Sequence, residues 1–136
     1  VGDSELMDKA AKKLAELCVA FEARAVLVYV ESKVQSSVVV TDSPEWVKIR
    51  ADWTKEGQAL LDKMVTKLKE NKVMNIEKEI RYGEFADEVS DLAEERKAEL
   101  IFLASHNASP VGSLLMGNRT YSLFKKTTCP ILRIVR

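Results

Sequence analysis

Helical and extended patterns of apolar residues alternate from the start of the chain. Between Ser4 and Phe21 the apolar positions recur every three or four residues, which predicts an amphipathic helix. The apolar face of that helix comprises Leu6, Ala10, Leu14, Leu17, Cys18 and Phe21. Residues Arg24–Glu31 then form a valine-rich, nearly continuous apolar run. Such a run predicts a strand buried on both faces, as in parallel sheets.

The connection Ser32–Asp42 is polar and β-branched, which favours a loop; a short edge strand is the alternative. A second helix is indicated after this connection. Ser43, Pro44 and Glu45 provide an N-cap, a first-turn proline and an acidic residue near the helix start, and we predict a helix to about Asn71. Its apolar face comprises Trp46, Ile49, Trp53, Leu60, Leu61, Met64 and Leu68. The tryptophans fit core packing, and an aromatic ligand platform is the alternative.

The rest of the chain continues the same alternation. The predicted strands are Asn75–Tyr82 near a sheet edge, Leu100–Ser105 as a buried central strand, and Pro130–Val135. The predicted helices are Phe85–Lys97 and Gly117–Lys126. Strand–helix alternation with no visible linker predicts a single α/β domain over residues 1–136, with a parallel, doubly wound sheet and right-handed crossovers.

The alternation begins with a helix that has no strand before it. In an α/β sheet of this kind that strand would be central, so we expect the first strand to be missing from this chain. The sequence leaves open whether it precedes Val1 in the natural protein, lies outside the structure or comes from a partner chain.

Composition narrows the classes of function. The 136 residues are 46% hydrophobic and 31% charged, and Lys+Arg and Asp+Glu both number 21. This balance argues against nonspecific nucleic-acid binding, for which a basic excess is usual. No apolar run approaches the roughly 18 residues of a membrane span, and the polar start resembles no signal peptide, so we expect no membrane insertion and a cytoplasmic location.

Cysteine and histidine are scarce. Cys18 and Cys129 are expected to be buried free thiols. A zinc site of the Cys/His type needs more ligands than these two thiols and His106 supply, so no metal site is predicted.

The run Glu99–Arg136 contains the strongest candidate for a binding site. Its polar loop opens at the carboxyl end of an apolar strand, which is where open α/β sheets bind ligands. The loop closes at Gly117-Asn118, where a helix N-terminus favours phosphate. It is nevertheless poorer in glycine than a phosphate cradle should be.

Four segments together resemble the universal stress protein family. The first segment, Ser4-Glu5 with Lys9-Ala10, is similar to the family's D-G-S-E-x-S-x-K-A, and the second, LVYV at 27–30, is similar to its L-L-H-V strand. The third is Gly83 with FADEVSDLA, which is similar to G-x-P-x-x-x-I-x-x-x-A. The fourth is LIFLASH…LLMGN…CPILRIV, which is similar to L-I-V-M-G-S-H-G…L-L-L-G-S…C-P-V-L-V-V. The resemblance implies the adenine-nucleotide α-hydrolase-like fold of that family.

The resemblance also implies a nucleotide motif, G-x-x-G-x9-G-[ST], that this chain keeps only in part. Its positions correspond to Ala104, Asn107, Gly117 and Asn118, and only Gly117 matches. Ala104 adds a methyl group where the backbone should approach phosphate, whereas Asn107 tolerates a left-handed conformation. Asn118 has an amide in place of the hydroxyl and can cap the helix.

Further family contacts would fall on three separate positions. Asp3 lies one residue from the acidic position that meets the nucleoside, Val30 occupies the position flanking the base, and Gly83 matches a glycine near the site. Each also has a structural interpretation: helix capping for Asp3, strand core for Val30 and a strand-end turn for Gly83.

The remaining loop residues add polar groups without an evident catalytic set. His106 has no Ser or Cys nucleophile in a known arrangement, so we expect it to orient the loop or contact a ligand, and we name no catalytic residue. Ser105, Ser109 and Ser113 can donate to phosphate or bond the loop's own backbone.

Three functions remain in competition. The first is a stress-response or regulatory protein that binds ATP or another adenine nucleotide, with Mg²⁺ only alongside the nucleotide and at most weak ATP hydrolysis. The second is a nucleotide-free regulatory module acting on an unknown protein partner, which includes a domain of a larger transporter or sensor. The third is an enzyme that uses His106. By resemblance, a homodimer through the apolar edge strand Pro130–Val135 is expected.

Overall fold

The computed structural model describes residues 2–31, 44–105 and 119–135. Its helices are α1 (Gly2–Phe21), α2 (Pro44–Glu70), α3 (Phe85–Glu95) and a helical segment at 119–126, here named α4. Its strands are β1 (Ala25–Glu31), β2 (Ile76–Tyr82), β3 (Ile101–Ser105) and β4 (Ile131–Val135). The alternation predicted from the sequence is therefore confirmed, and most bounds agree within two residues. The predicted cap at Ser43 and the connection at 32–42 lie outside the described residues.

The strands form two parallel pairs. β1 pairs with β2 from Ala25↔Ile76 to Glu31↔Tyr82, and β3 pairs with β4 from Ile101↔Ile131 to Ser105↔Val135. Within the described residues no strand joins β1 to β3, so the sheet is divided at this point. The missing first strand expected from the sequence stays a prediction.

Two apolar clusters pack against these pairs. The first joins α1 and α2 to β1 through buried residues that include Ala11, Cys18, Ala25 and Leu68. The second joins α3 and α4 to β3 and β4, and its buried residues are Ala86, Val89, Ala93, Ile101 and Leu123. Val30 of β1 packs against this second cluster, so α3 also links the two strand pairs.

Three helices end in a left-handed residue that is not glycine. Glu22, Lys72 and Lys97 have φ of 52°, 71° and 52° and follow α1, α2 and α3. After each of them an amide closes a bond to a carbonyl five residues earlier, as from Ala23 to Cys18 at 2.9 Å. These are Schellman-type ends, in which the closing bond offsets the cost of positive φ in a residue with a Cβ.

Three predicted core residues are exposed instead. Phe21 is 75% exposed, Ile49 41% and Leu60 43%. Phe21 is the last residue of α1. α2 is about 40 Å long, whereas β1 spans about 23 Å, so residues near the start of α2, such as Ile49, extend past the strand. Leu60 lies about 100° around the helix from Leu61, which is buried.

The prediction that β1 and β3 are fully buried is also wrong. In β1 only Ala25 and Glu31 are buried and the residues between them are half-buried, while Ala104 of β3 is exposed. In the described part of the chain each of these strands has a hydrogen-bonded neighbour on one side only.

An ion network fixes α3 over β2. Arg81 binds Glu79 on its own strand and Glu95 of α3, the latter at 2.5 Å between Nη2 and Oε2. Arg96 donates to Glu77 at 2.9 Å and to Glu79 at 3.4 Å. The hydrogen bond from Arg81 holds the pKa of Glu79 below its ordinary value, Arg96 acts in the same direction, and partial desolvation opposes both.

We predict that Leu68→Ala lowers the free energy of unfolding by about 2–5 kcal/mol, because Leu68 is 0% exposed and its removal leaves a cavity. The matched control is Leu60→Ala on the same helix, for which we expect a loss of about 1 kcal/mol or less. Urea unfolding followed by circular dichroism measures both. Equal losses would contradict the burial described here.

We predict that acidification destabilises the protein less when Glu79 is replaced by Gln. A carboxylate with a lowered pKa in the folded state stabilises above its unfolded pKa, and this contribution is lost as the pH falls through the folded pKa. Urea midpoints at about pH 7 and about pH 3 should therefore differ less in Glu79→Gln than in wild type. Glu16→Gln is the control, because it removes only an exposed ion pair with Lys13. If the urea midpoints of Glu79→Gln at the two pH values differ as much as those of the wild type, the prediction is wrong.

Candidate functional site

The carboxyl ends of β1 and β2 are joined directly. Glu31 is in register with Tyr82, and the amide of Gly83 donates to the carbonyl of Glu31 at 3.1 Å. Gly83 has φ of 150°, and a Cβ at this position would lie 2.8 Å from Oε2 of Glu88. Glycine is therefore favoured here by the backbone conformation, and a Cβ would in addition displace the flexible side chain of Glu88; both support the strand-end turn.

Glu84, immediately after this turn, is the N-cap of α3. Its carboxylate accepts from the amide of Asp87 at 2.8 Å, which caps the helix. Lys126 of α4 reaches the carboxylates of Glu84 and Asp87, and the hydrogen bond to Asp87 raises the pKa of this lysine. The first turn of α3 is thereby fixed to α4 at the edge of the sheet.

Tyr29 and Glu31 form a polar pair on the face of β1 that meets α2. The hydroxyl of Tyr29 donates to Oε2 of Glu31 at 3.4 Å, and Glu31 is only 3% exposed. Burial is the largest cause that raises the pKa of Tyr29, the carboxylates of Glu31 and Glu56 add to it, and Arg119 opposes it. At the carboxyl end of β1, the buried carboxylate of Glu31 therefore lies beside the phenol of Tyr29.

α2 is placed against this edge by close contacts. Gly57 is buried, and a Cβ added to it would lie 2.5 Å from Cδ1 of Tyr29. One turn earlier, the hydroxyls of Thr54 and Tyr82 share a hydrogen bond of 2.5 Å. The absence of a side chain at Gly57 therefore allows the ring of Tyr29 to lie against the helix.

Arg119 brings a cation to the same region. Its guanidinium lies 4.9 Å from the centroid of the Phe85 ring, which is within the range of a cation–π contact. Phe85 is the first residue of α3 and Arg119 the first described residue of α4. This contact connects the two helices.

The structure places five of the residues predicted for the site. Asp3 lies in the first turn of α1, Gly83 follows β2, and Ala104 and Ser105 end β3. Val30 is partly buried against the second apolar cluster, as in the strand-core interpretation. The other predicted site residues lie outside the described residues: His106, Asn107, Ser109, Ser113, Gly117 and Asn118.

Several polar and aromatic residues of this edge were not predicted. They are Tyr29, Glu31, Thr54, Tyr82, Phe85 and Arg119. The sequence held one signal for them, because Glu31 is an acidic residue at the carboxyl end of an apolar strand, where ligand-binding side chains are common. The contacts of Tyr29 and Thr54 depend on where α2 lies.

The thiols and the other potential ligands do not form a metal site in the part of the chain that the structure describes. Both cysteines are free. Cys18 is buried as predicted, but Cys129 is only half-buried, since it lies before β4 with Sγ 3.3 Å from the carbonyl of Ala98. Burial raises the pKa of both thiols. Among the described helices, none has the length and apolar character to cross a membrane.

Comparison with known proteins gives a consistent result. The model of the universal stress protein family matches residues 1–135. Universal stress protein MJ0531 of Methanocaldococcus jannaschii is 29% identical to this chain over 129 residues. That alignment covers 95% of the chain and 75% of the relative.

Solved structures with the same fold include a universal stress protein in complex with cAMP, with a TM-score of 0.65 and 16% identity over 94% of this chain and 86% of that one. Hypothetical protein MJ0577 gives a TM-score of 0.71 and 20% identity over 93% of this chain and 85% of that one. A protein of the universal stress protein family from Burkholderia pseudomallei gives a TM-score of 0.67 and 21% identity. That comparison covers 93% of this chain and 84% of the other. At these identities the likeness shows the fold alone.

We predict that Gly57→Ala destabilises the protein by about 1–3 kcal/mol, because the added methyl group overlaps the Tyr29 ring. Alanine is otherwise the better helix former by about 1 kcal/mol. In a Tyr29→Ala background the same substitution should therefore stabilise. Thermal unfolding of the four variants forms a double-mutant cycle, and a stabilising Gly57→Ala in the wild type would refute the contact.

Proposed function

Because the chain belongs to the universal stress protein family, we propose that it is a regulatory protein of the stress response that binds an adenine nucleotide at the carboxyl edge of β1 and β3. The observation on which this rests is that the described strands form two separate pairs, with Gly83, Tyr29 and Glu31 at the carboxyl end of the β1–β2 pair. Ligands of open α/β sheets bind at such a place.

The proposed nucleotide site combines described and undescribed parts of the chain. Asp3, Val30 and Gly83 would border the nucleoside. Ala104, Ser105 and the loop residues His106, Asn107, Ser109, Ser113, Gly117 and Asn118 would border the phosphates. The related structure with bound cAMP supports an adenine nucleotide as the class of ligand. Mg²⁺ would enter only with the nucleotide, and no residue is assigned a catalytic role.

A nucleotide-free dimeric module is the second candidate, and a specific observation favours it. Ala104, an exposed residue of β3, stands where the family motif has its first glycine. β4 pairs with β3 alone in the described part of the chain, so its outer edge is open to a twin strand from a second copy. A cytoplasmic location and this Pro130–Val135 dimer belong to our proposal.

We expect heat on titration of the pure protein with ATP, ADP or AMP, with and without Mg²⁺. Isothermal titration calorimetry measures this directly, and chemical cross-linking reports the dimer independently. Absence of heat at millimolar concentrations of every nucleotide would overturn nucleotide binding and leave the dimeric module. The double substitution Ala104→Gly with Asn107→Gly should raise the affinity, because glycine lets the loop backbone approach phosphate. Ala23→Gly, beyond the amino end of β1, is the control for added flexibility.

A further inference from the structure

The solvent-facing side of α4 is aromatic. Tyr121 is 61% exposed and Phe124 is 69% exposed, whereas Leu123 is 0% exposed and packs in the second apolar cluster. Residues three positions apart lie next to each other on a helix, so the two rings form one continuous surface on the side that faces away from Leu123. A single exposed apolar side chain is common, but a continuous surface of two rings indicates a place of contact with another body.

Lys125 adds a positive charge to this surface. It is exposed and lies four residues after Tyr121, and its Nζ is 5.3 Å from the centroid of the Tyr121 ring, a cation–π contact. Tyr121, Phe124 and Lys125 are here named the α4 patch. Aromatic rings with lysine suit the boundary between lipid headgroups and acyl chains, because the rings enter the boundary and the amine stays among the headgroups.

The charge of the chain is unevenly distributed, although its formal net charge is zero. Residues 1–99 contain all 21 acidic residues and 16 of the 21 basic residues, whereas residues 100–136 contain five basic residues and no acidic residue. Those five are Arg119, Lys125, Lys126, Arg133 and Arg136. α4 and β4 belong to this basic part, which attracts a negatively charged partner more strongly than the balanced total suggests.

The acidic residues that contact α4 at the start of α3 are balanced by Lys126. This lysine pairs with Glu84 at 3.4 Å and with Asp87. It lies about 100° around the helix from Lys125, so these ion pairs form on a different side of α4 from the patch. They hold α4 against α3, while Lys125 contributes its charge to the outward side.

We propose that the α4 patch is a peripheral contact with the surface of an anionic lipid bilayer. Tyr121 and Phe124 enter the headgroup boundary, and Lys125 pairs with negatively charged lipid headgroups. The patch is the convex side of a helix, to which a fluid lipid surface adapts, whereas a protein partner would have to supply a matching pocket for each ring. The contact is adsorption to one leaflet, and it is independent of the nucleotide binding proposed above.

The test is sedimentation of the full chain with vesicles of phosphatidylcholine alone or with about 30% phosphatidylserine, an anionic lipid. We expect the wild type to bind the anionic vesicles about tenfold or more tightly than the neutral ones. This preference should disappear in about 1 M NaCl, where the screening length falls to about 3 Å. Absence of binding at millimolar accessible lipid would overturn the proposal.

Substitutions in the α4 patch should weaken this binding. Tyr121→Ser combined with Phe124→Ser should weaken it about tenfold or more, because no ring then enters the boundary, and Lys125→Gln should weaken binding to the anionic vesicles alone. Phe124→Trp should retain binding, since tryptophan also favours the boundary. The matched control is Phe21→Ser, which removes a ring that is 75% exposed in the acidic part of the chain and should change nothing.

Circular dichroism and urea unfolding establish that each variant is folded, as we expect for exposed positions. Equal binding by the wild type and the double serine variant, or an equal loss in Phe21→Ser, would overturn the proposal. An acidic polymer is the alternative partner for an aromatic and basic surface. Fluorescence anisotropy with polyuridylate and polyglutamate tests this alternative: binding that the double serine variant loses, without vesicle binding by the wild type, would overturn the lipid contact.

Discussion

The arrangement of the described strands as two separate pairs, β1–β2 and β3–β4, is the constraint on which the rest of this structure depends. A two-stranded pair has little stability of its own, and in the described part of the chain no hydrogen bonds join the two pairs. The helices therefore hold them together. α1 and α2 cover β1 with one apolar cluster, and α3 and α4 cover β3 and β4 with the other. Val30 connects β1 to the second cluster, so α3 contributes to both halves.

Polar contacts at the carboxyl edge fix the neighbouring helices as well. Thr54 bonds Tyr82 and so ties α2 to β2, while Arg119 stacks on Phe85 and ties α4 to α3. Glu31 is buried at the end of β1 beside the hydroxyl of Tyr29. An edge built in this way has the hydroxyls, carboxylates and cation that a polar ligand needs, at the place where such ligands bind in α/β sheets.

The helices, the strands and their order could be predicted from apolar periodicity, because burial imposes a period of 3.6 in helices and 2 in strands. Burial itself was predicted less well. Leu60 fits the apolar pattern of α2, but its exposure depends on which side of the helix meets β1. The positive φ at Lys72 was also invisible, since no glycine marks the helix end and only the following bond at Val73 reveals it.

For the candidate site, sequence reasoning predicted a loop after β3 and did not predict the polar side chains that the structure describes near the ends of β1 and β2. The motif comparison directed attention to the loop after β3, whereas the described contacts come from β1, α2 and α3, which are distant in sequence. Gly57 illustrates the reason: its role depends on the Tyr29 ring beside it, and no local pattern contains both residues.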